Sequence, residues 1–171
     1  MAFVPNFTVS QTPATPSNIL ITDTSTGSDP NITQRKIYIT DSAGNPVMPA
    51  GQSGIYTLWL SGASIILNVL TEDQALTISV KWADQFGYVL YQKTSNYCFS
   101  QFNQQYFYYL IQVQSQTYNI IQDNRYWQNM ATYWANIVGA IKAVELGNDI
   151  YGSQVCLNRA TTMKNNANNF F

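Results

Sequence analysis

The sequence predicts an α+β protein in which an N-terminal antiparallel β-sandwich precedes a group of α-helices. Up to about residue 94, apolar and polar side chains alternate with the period of two that strands show. Beyond it, apolar side chains recur every three to four positions, as in an amphipathic helix. A length of 171 residues suits one domain or two small ones. We therefore predict a β-sandwich domain over residues 1–94 and a helical assembly domain over residues 95–171.

The strand pattern is clearest from Leu76 to Trp82, where Thr77, Ser79 and Lys81 face away from the apolar side chains. Weaker alternation marks the segments 19–23, 37–39, 55–60, 65–70 and 88–93. Turn-forming stretches lie between them, at 24–31, 41–46, 61–64, 71–74 and 84–87. Six or seven short strands at this spacing predict an immunoglobulin-like or fibronectin-like sandwich, with Trp82 in its core.

Three helices are predicted after residue 94. The first carries an aromatic and aliphatic stripe that starts at Phe99, and the second begins after Asp123 as its N-cap. Gly147 is expected to end the second helix as a C′ glycine, which completes a helical hairpin. Asp149 is expected to cap a shorter third helix that reaches about Lys164. The tail, residues 165–171, is expected to be mobile.

The composition argues against several classes of function. The chain has no His, which removes His-based triads, His proton shuttles and His-ligated metal sites. Its net charge of −1 gives no strong grip on nucleic acid or an anionic membrane. The acidic pair Glu72–Asp73 lies in a predicted turn and makes a poor acid–base pair. We expect a protein that is not an enzyme and uses no cofactor and no metal.

The scarcity of charge favours assembly with other subunits. Only 10% of residues are charged, against about a quarter in typical globular domains. The chain instead contains 17 Asn and 15 Gln. Their neutral amide groups hydrogen-bond water but cause no charge repulsion between copies of the protein. A monomer with an unusual surface is the alternative.

The two cysteines, Cys98 and Cys156, fall in two different predicted helices and are expected to be buried thiols. A disulfide between them is the alternative.

The first and second predicted helices carry candidate contact surfaces. From Thr94 to Gln122 no residue is charged, and aromatic or aliphatic side chains lie opposite the main stripe of the first helix. The second helix has small or amide side chains away from its stripe. Burial against the chain's own β-domain, or an ordinary alanine-rich surface, would explain the same patterns. The predicted assembly interface consists of Tyr97, Tyr108, Ile111, Thr132, Asn136 and Gly139.

Six segments of the chain carry a resemblance to a known family, namely Pro16–Arg35 (PSNILITDTSTGSDPNITQR), Lys36–Thr40, Ala50–Leu60 (AGQSGIYTLWL), Ile65–Leu70, Ala75–Trp82 (ALTISVKW) and Asn148–Leu157 (NDIYGSQVCL). Through these segments much of the chain resembles small virion proteins from crAss-like and related podoviruses of gut Bacteroidetes. The resemblance implies a neck or tail structural component, namely a ring or adaptor subunit beneath the portal. It further implies a dodecamer of identical copies, contacts with the portal and other neck or tail proteins, and no catalytic residue.

Localisation follows from the same resemblance. The start, Met1–Val9, has neither the basic nor the apolar region of a signal peptide, and no apolar stretch is long enough to span a membrane. We expect a protein that is made in the host cytoplasm, joins the virion neck or tail, and meets DNA only incidentally in the lumen. The alternative is a carbohydrate-binding, receptor-binding or fibre-attachment module. Its stacking platform would consist of Tyr56, Trp59, Trp82 and Tyr88.

Overall fold

The computed structural model describes residues 1–12, 15–69, 73–100 and 124–170, which contain seven β-strands followed by two α-helices. The strands are β1 (Phe7–Thr12), β2 (Thr15–Asp23), β3 (Gln34–Thr40), β4 (Thr57–Trp59), β5 (Ser64–Asn68), β6 (Gln74–Ala83) and β7 (Val89–Phe99). The helices are α1 (Asn124–Gly147) and α2 (Ile150–Asn168). The predicted α+β class, with strands first and helices last, is confirmed.

The strands form two antiparallel sheets. The first has the order β1-β2-β5 and the second the order β4-β3-β6-β7. In the first sheet Ile21 of β2 pairs with Val9 and Ile65 on its two sides, and in the second Ile37 of β3 pairs with Thr57 and Val80. The immunoglobulin-like or fibronectin-like arrangement of these sheets stays a prediction.

Alternating apolar side chains form the core of the sheet region. Ile19 and Ile21 of β2 are fully buried, while Leu20 between them is only half-buried. The same alternation places the two buried tryptophans, Trp59 and Trp82, on the inward side of the second sheet. Burying large apolar side chains is the main favourable term in such a core. The prediction that Trp82 is a core residue is confirmed.

Strand β7 is longer than the sequence indicates, because residues 95–99 are extended. The hydroxyl groups of Ser79 and Thr94 lie 2.8 Å apart, and the hydroxyl of Thr77 donates to the amide oxygen of Asn96 over 2.9 Å. These cross-strand bonds continue the β6–β7 side of the sheet beyond residue 94. The prediction of a helix over residues 95–99 is therefore wrong, and Cys98 lies on a strand. The rest of that predicted helix lies outside the described residues.

The two helices correspond to the second and third predicted helices, and they pack together as a helical hairpin. Asp149 is the N-cap of α2, as expected, because its carboxylate accepts a hydrogen bond of 2.8 Å from the Gly152 N–H. A Cβ at position 152 would occupy the place of that carboxylate. At the end of α1 the residue with left-handed backbone is Asn148, not Gly147, and its N–H donates to the Val144 carbonyl.

The last turn of α2 is where the predicted mobile tail begins. The helix continues to Asn168, and Ala167 is fully buried in the helical core. Phe170 packs against the same core, and its ring lies 4.2 Å from the guanidinium carbon of Arg125. The third helix therefore extends past Lys164, where the sequence predicts its end.

The chain divides into two compact units. One consists of Met1–Thr71 and Leu76–Asn96, and the other of Glu72–Ala75 and Tyr97–Phe171. The second unit has its own hydrophobic cluster, to which both helices contribute. Its buried members are Cys98, Tyr126, Met130, Tyr133, Ile137, Ala140, Ile141, Val144, Leu157, Ala160 and Ala167.

Replacing Trp82 tests the sheet core. Trp82→Ala should lower the free energy of unfolding by about 3–5 kcal/mol, because it removes a fully buried ring and leaves a cavity. Tyr88→Ala is the control, because Tyr88 is 72% exposed, and it should change stability by less than about 0.5 kcal/mol. Urea unfolding followed by tryptophan fluorescence measures both. Equal effects of the two variants would contradict this account of the core.

Candidate functional site

The predicted assembly residues fall in different places. Tyr97 lies on β7 and is half-buried, while Tyr108 and Ile111 lie outside the described residues. Thr132, Asn136 and Gly139 lie on α1 at spacings of four and three, so they follow one stripe of that helix. Among the described residues, the structure therefore brings together only the three α1 positions.

Gly139 of α1 lies next to α2 within the helical hairpin. A Cβ at this position would lie 3.5 Å from the Cys156 sulfur of α2, which is ordinary van der Waals contact. A methyl group would therefore fit between the two helices at this position. Gly139 faces the chain's own helix α2, and its part in an assembly interface stays a prediction.

Three polar side chains on the exposed side of α1 donate hydrogen bonds to carbonyls of their own helix. Asn129 donates to the carbonyl of Arg125 over 2.8 Å, Thr132 to that of Gln128 over 3.2 Å, and Asn136 to that of Thr132 over 2.9 Å. A donor that already has a partner loses little when a neighbouring molecule displaces water. This surface is polar in composition but inexpensive to bury.

Helix α2 has a narrow buried stripe and a wide outer face. Ser153, Leu157 and Ala160 point into the helical unit, and Tyr151 and Val155 lie on the opposite side. Tyr151 is 70% exposed, and Val155, four residues on, forms an apolar pair with it. Thr162, farther along this outer face, donates to the Asn158 carbonyl over 3.2 Å. We call Tyr151, Val155, Asn158 and Thr162 the outer face of α2.

The outer face of α2 was missed by the sequence predictions, as was Leu146 at the end of α1, which is 82% exposed. The signal was present in the sequence. The buried stripe of the third helix leaves Tyr151 and Val155 on the other side at 100° per residue. Helix α2 also contains no carboxylate, and its only charged residues are Arg159 and Lys164.

Cys98 is a buried thiol, whereas Cys156 is only half-buried. Cys98 and Cys156 are both free. Burial raises the pKa of the Cys98 thiol to about 12, so the thiol stays protonated at neutral pH.

Within residues 1–12, 15–69, 73–100 and 124–170, no group of three or more Cys, Asp or Glu side chains could hold a metal ion. The helices of this part of the chain are too short or too polar to cross a membrane.

Asp23 is the centre of a charged cluster in the sheet unit. Its carboxylate accepts hydrogen bonds from Arg35 over 2.8 Å and from the Trp82 indole over 3.1 Å. The Arg35 guanidinium also donates to the Gly62 carbonyl and lies 3.7 Å from the centre of the Trp59 ring. Burial on its own raises the pKa of Asp23, but the hydrogen bonds to its carboxylate outweigh it and hold the pKa below 3.8.

A cleft of about 280 Å³ lies beside this cluster. Phe3, Trp82 and Asp29 are among its lining residues, and the Asp29 carboxylate accepts a hydrogen bond from the Tyr91 hydroxyl over 3.0 Å. A hydrogen bond from the Asn31 backbone N–H, together with the one from Tyr91, lowers the pKa of Asp29. The three charged side chains of the cleft, those of Asp23, Asp29 and Arg35, thus have partners within the chain.

The four-ring platform of the alternative function does not form. Trp59 is 2% exposed and Trp82 is 1% exposed, so neither ring can stack on a ligand. Tyr56 and Tyr88 are exposed, but the ring that contacts Tyr56 is that of Tyr38, at 5.4 Å.

Comparisons with known proteins identify no family. No family model matches the chain, and no curated protein matches it. Among solved structures it is similar to astrotactin-2, described as a conserved vertebrate-specific and perforin-like membrane protein involved in neuronal development. The two are 10% identical with a TM-score of 0.37, and the match covers 98% of this chain and 37% of astrotactin-2. A likeness this low supports no conclusion about fold or function.

The Asp23 cluster makes stability depend on pH. Because the folded pKa of Asp23 is depressed, its contribution is complete above the unfolded value of 3.8 and is lost as the pH falls through the folded value. Asp23→Asn should lower the free energy of unfolding by about 1–3 kcal/mol at pH 7, since charged hydrogen bonds are lost. The gap between the two proteins should narrow below about pH 4. Urea unfolding at several pH values measures it, and a gap independent of pH would contradict this role.

Proposed function

We propose that this protein is a non-enzymatic structural subunit that assembles with copies of itself in the neck or tail ring of a virion, as a portal-proximal adaptor or ring protein. The observation that carries the assembly step is the outer face of α2, which is neutral and includes an exposed apolar pair. The virion and its neck or tail rest on the sequence resemblance. In this proposal the sheets adopt the immunoglobulin-like or fibronectin-like sandwich and contact neighbouring layers or a fibre.

The electrostatics of the helices support lateral packing. Helices α1 and α2 together carry four basic residues, Arg125, Lys142, Arg159 and Lys164, and one carboxylate, Glu145. Most of their exposed positions are therefore neutral, and copies meet there with little charge to desolvate. Several of their amide and hydroxyl groups, including those of Asn129, Asn136 and Thr162, donate to backbone carbonyls of the same helix. Burial of these donors in a contact therefore leaves few of them without a partner.

The exposed apolar residues favour a contact in the assembled state. Leu146, Tyr151 and Val155 are exposed and lie within a few residues of the connection between the helices. Aromatic residues such as Tyr are enriched at interfaces because they bury large area at low cost in conformational entropy. We place Tyr151 at the centre of the contact between copies, with Thr132 and Asn136 contributing to the α1 side.

Adding one charge to the outer face of α2 tests the assembly step. Tyr151→Glu should weaken self-association by more than about tenfold, since a buried carboxylate without a partner costs more than 1.4 kcal/mol. Sedimentation velocity over a range of concentrations measures the oligomer. Ala43→Glu adds the same charge in an exposed turn of the sheet unit and should leave association unchanged. Equal thermal melting of the two variants would show that folding is intact.

Two results would overturn the proposal. The first is a wild-type protein that stays monomeric at high concentration and is absent from purified particles. The second is a Tyr151→Glu variant that assembles like the wild type, because the outer face of α2, which carries the proposal, would then not be the contact. Electron microscopy of intact particles tests the neck or tail location directly, because a ring subunit gives density below the portal.

A further inference from the structure

The outer face of the second sheet contains two lysines that face each other without a counterion. Lys36 of β3 and Lys81 of β6 are direct partners in the antiparallel register. Like charges at directly opposite positions destabilise a sheet. Within residues 1–12, 15–69, 73–100 and 124–170, neither ammonium has a carboxylate at ion-pair distance, and the ion pair that occurs there joins Arg35 and Asp23.

Two tyrosines hold the lysines in place. The Lys36 ammonium lies 5.0 Å from the centre of the Tyr56 ring, and the Lys81 ammonium lies 4.4 Å from that of Tyr38. The two rings are 5.4 Å apart, so the four side chains form one group, which we call the Lys–Tyr cluster. Contacts with ring faces offset part of the cost of two neighbouring charges but leave both of them unneutralised.

The Lys36 amine is also fixed by the β6–β7 turn. It donates a hydrogen bond of 3.3 Å to the Gly87 carbonyl. Gly87 has a φ of 83°, and Asp84 stabilises the turn by accepting hydrogen bonds from the backbone N–H groups of Phe86 and Tyr88. The position of one ammonium is thus set by a rigid turn, and that of the other by a ring on the neighbouring strand. A fixed cation loses little entropy when an anion binds.

We propose that the Lys–Tyr cluster binds an acidic sugar, with the anionic group between the two ammonium groups. Two opposed lysines supply the charge for one compact anion. Tyr56, 39% exposed, and Leu58, 44% exposed, offer apolar surface for the C–H face of the ring. Leu58 is the β4 partner of Lys36 in the register, so this surface adjoins the cation.

An extended polyanion fits the face less well. Thr77 and Ser79 of β6, on the same side as Lys81, are neutral and bonded to Asn96 and Thr94 of β7. A nucleic-acid strand would need a row of cations along its backbone, whereas the charge here is confined to one cross-strand pair. The cluster uses none of the helical residues of the proposed assembly contact, so its test is independent of that proposal.

Three ligands test the contributions of the anionic group and the sugar ring. Glucuronate, glucose and inorganic phosphate are each titrated into the ¹⁵N-labelled full chain, and binding is followed by NMR. Glucuronate should shift the backbone signals of residues 36, 38, 56 and 81. Glucose lacks the anion and phosphate lacks the ring, so each should bind at least about tenfold more weakly. The affinity for glucuronate should fall as salt is added. Phosphate or an oligonucleotide that binds as tightly as glucuronate would overturn the proposal.

Matched variants distinguish a binding role from a structural one. Lys36→Gln with Lys81→Gln should weaken glucuronate binding by at least about tenfold while the melting temperature stays equal or rises, because a repulsive pair is removed. Lys93→Gln removes an exposed lysine of β7 outside the cluster and should change neither property. Unchanged binding in the double variant, a double variant less stable than the wild type, or no binding of glucuronate to the wild type would each refute the site.

Discussion

The carboxylate of Asp23 is the interaction on which the sheet unit depends. It lies on β2 of the first sheet and accepts hydrogen bonds from Arg35 on β3 and Trp82 on β6 of the second sheet. The Arg35 guanidinium is held in turn against the Trp59 ring and by the Gly62 carbonyl. Taking two charges out of water is costly, and it is tolerated only where hydrogen bonds satisfy both groups. One carboxylate therefore joins the two sheets and binds the indole N–H of the buried Trp82.

The scarcity of charge gives the rest of the molecule its character. Only 17 residues of the whole chain are charged. The helices cover themselves with amides and hydroxyls bonded to their own backbone, as in Asn129 and Thr162. Such a surface neither repels a neighbour nor leaves strong donors unpaired on contact, and this property underlies the proposed assembly. The opposed Lys36 and Lys81 are the exception, which is why we infer a ligand there.

The sequence gives reliable information where one local pattern dominates. Alternation from Leu76 to Trp82 predicted a strand with a buried tryptophan, and Asp149 was recognised as an N-cap because a short acidic side chain can bond the free N–H groups of a first turn. At residues 95–99 the local sequence pattern predicts the wrong element. There the spacing of aromatic residues suited a helix, but hydrogen bonds to the neighbouring strand extended β7 instead. Such bonds come from residues distant in sequence and leave no local trace.

The sequence by itself determined the order of strands before helices, the low charge, and which residues could be buried, because period and composition are local properties. Only the tertiary structure decided that Asp23 meets Arg35 and Trp82, and that Lys36 lies opposite Lys81. It also decided that Gly139 lies beside Cys156 while Tyr151 stays exposed. Sheet register and helix rotation are set by packing among distant segments, and a one-residue shift in a strand exchanges its two faces.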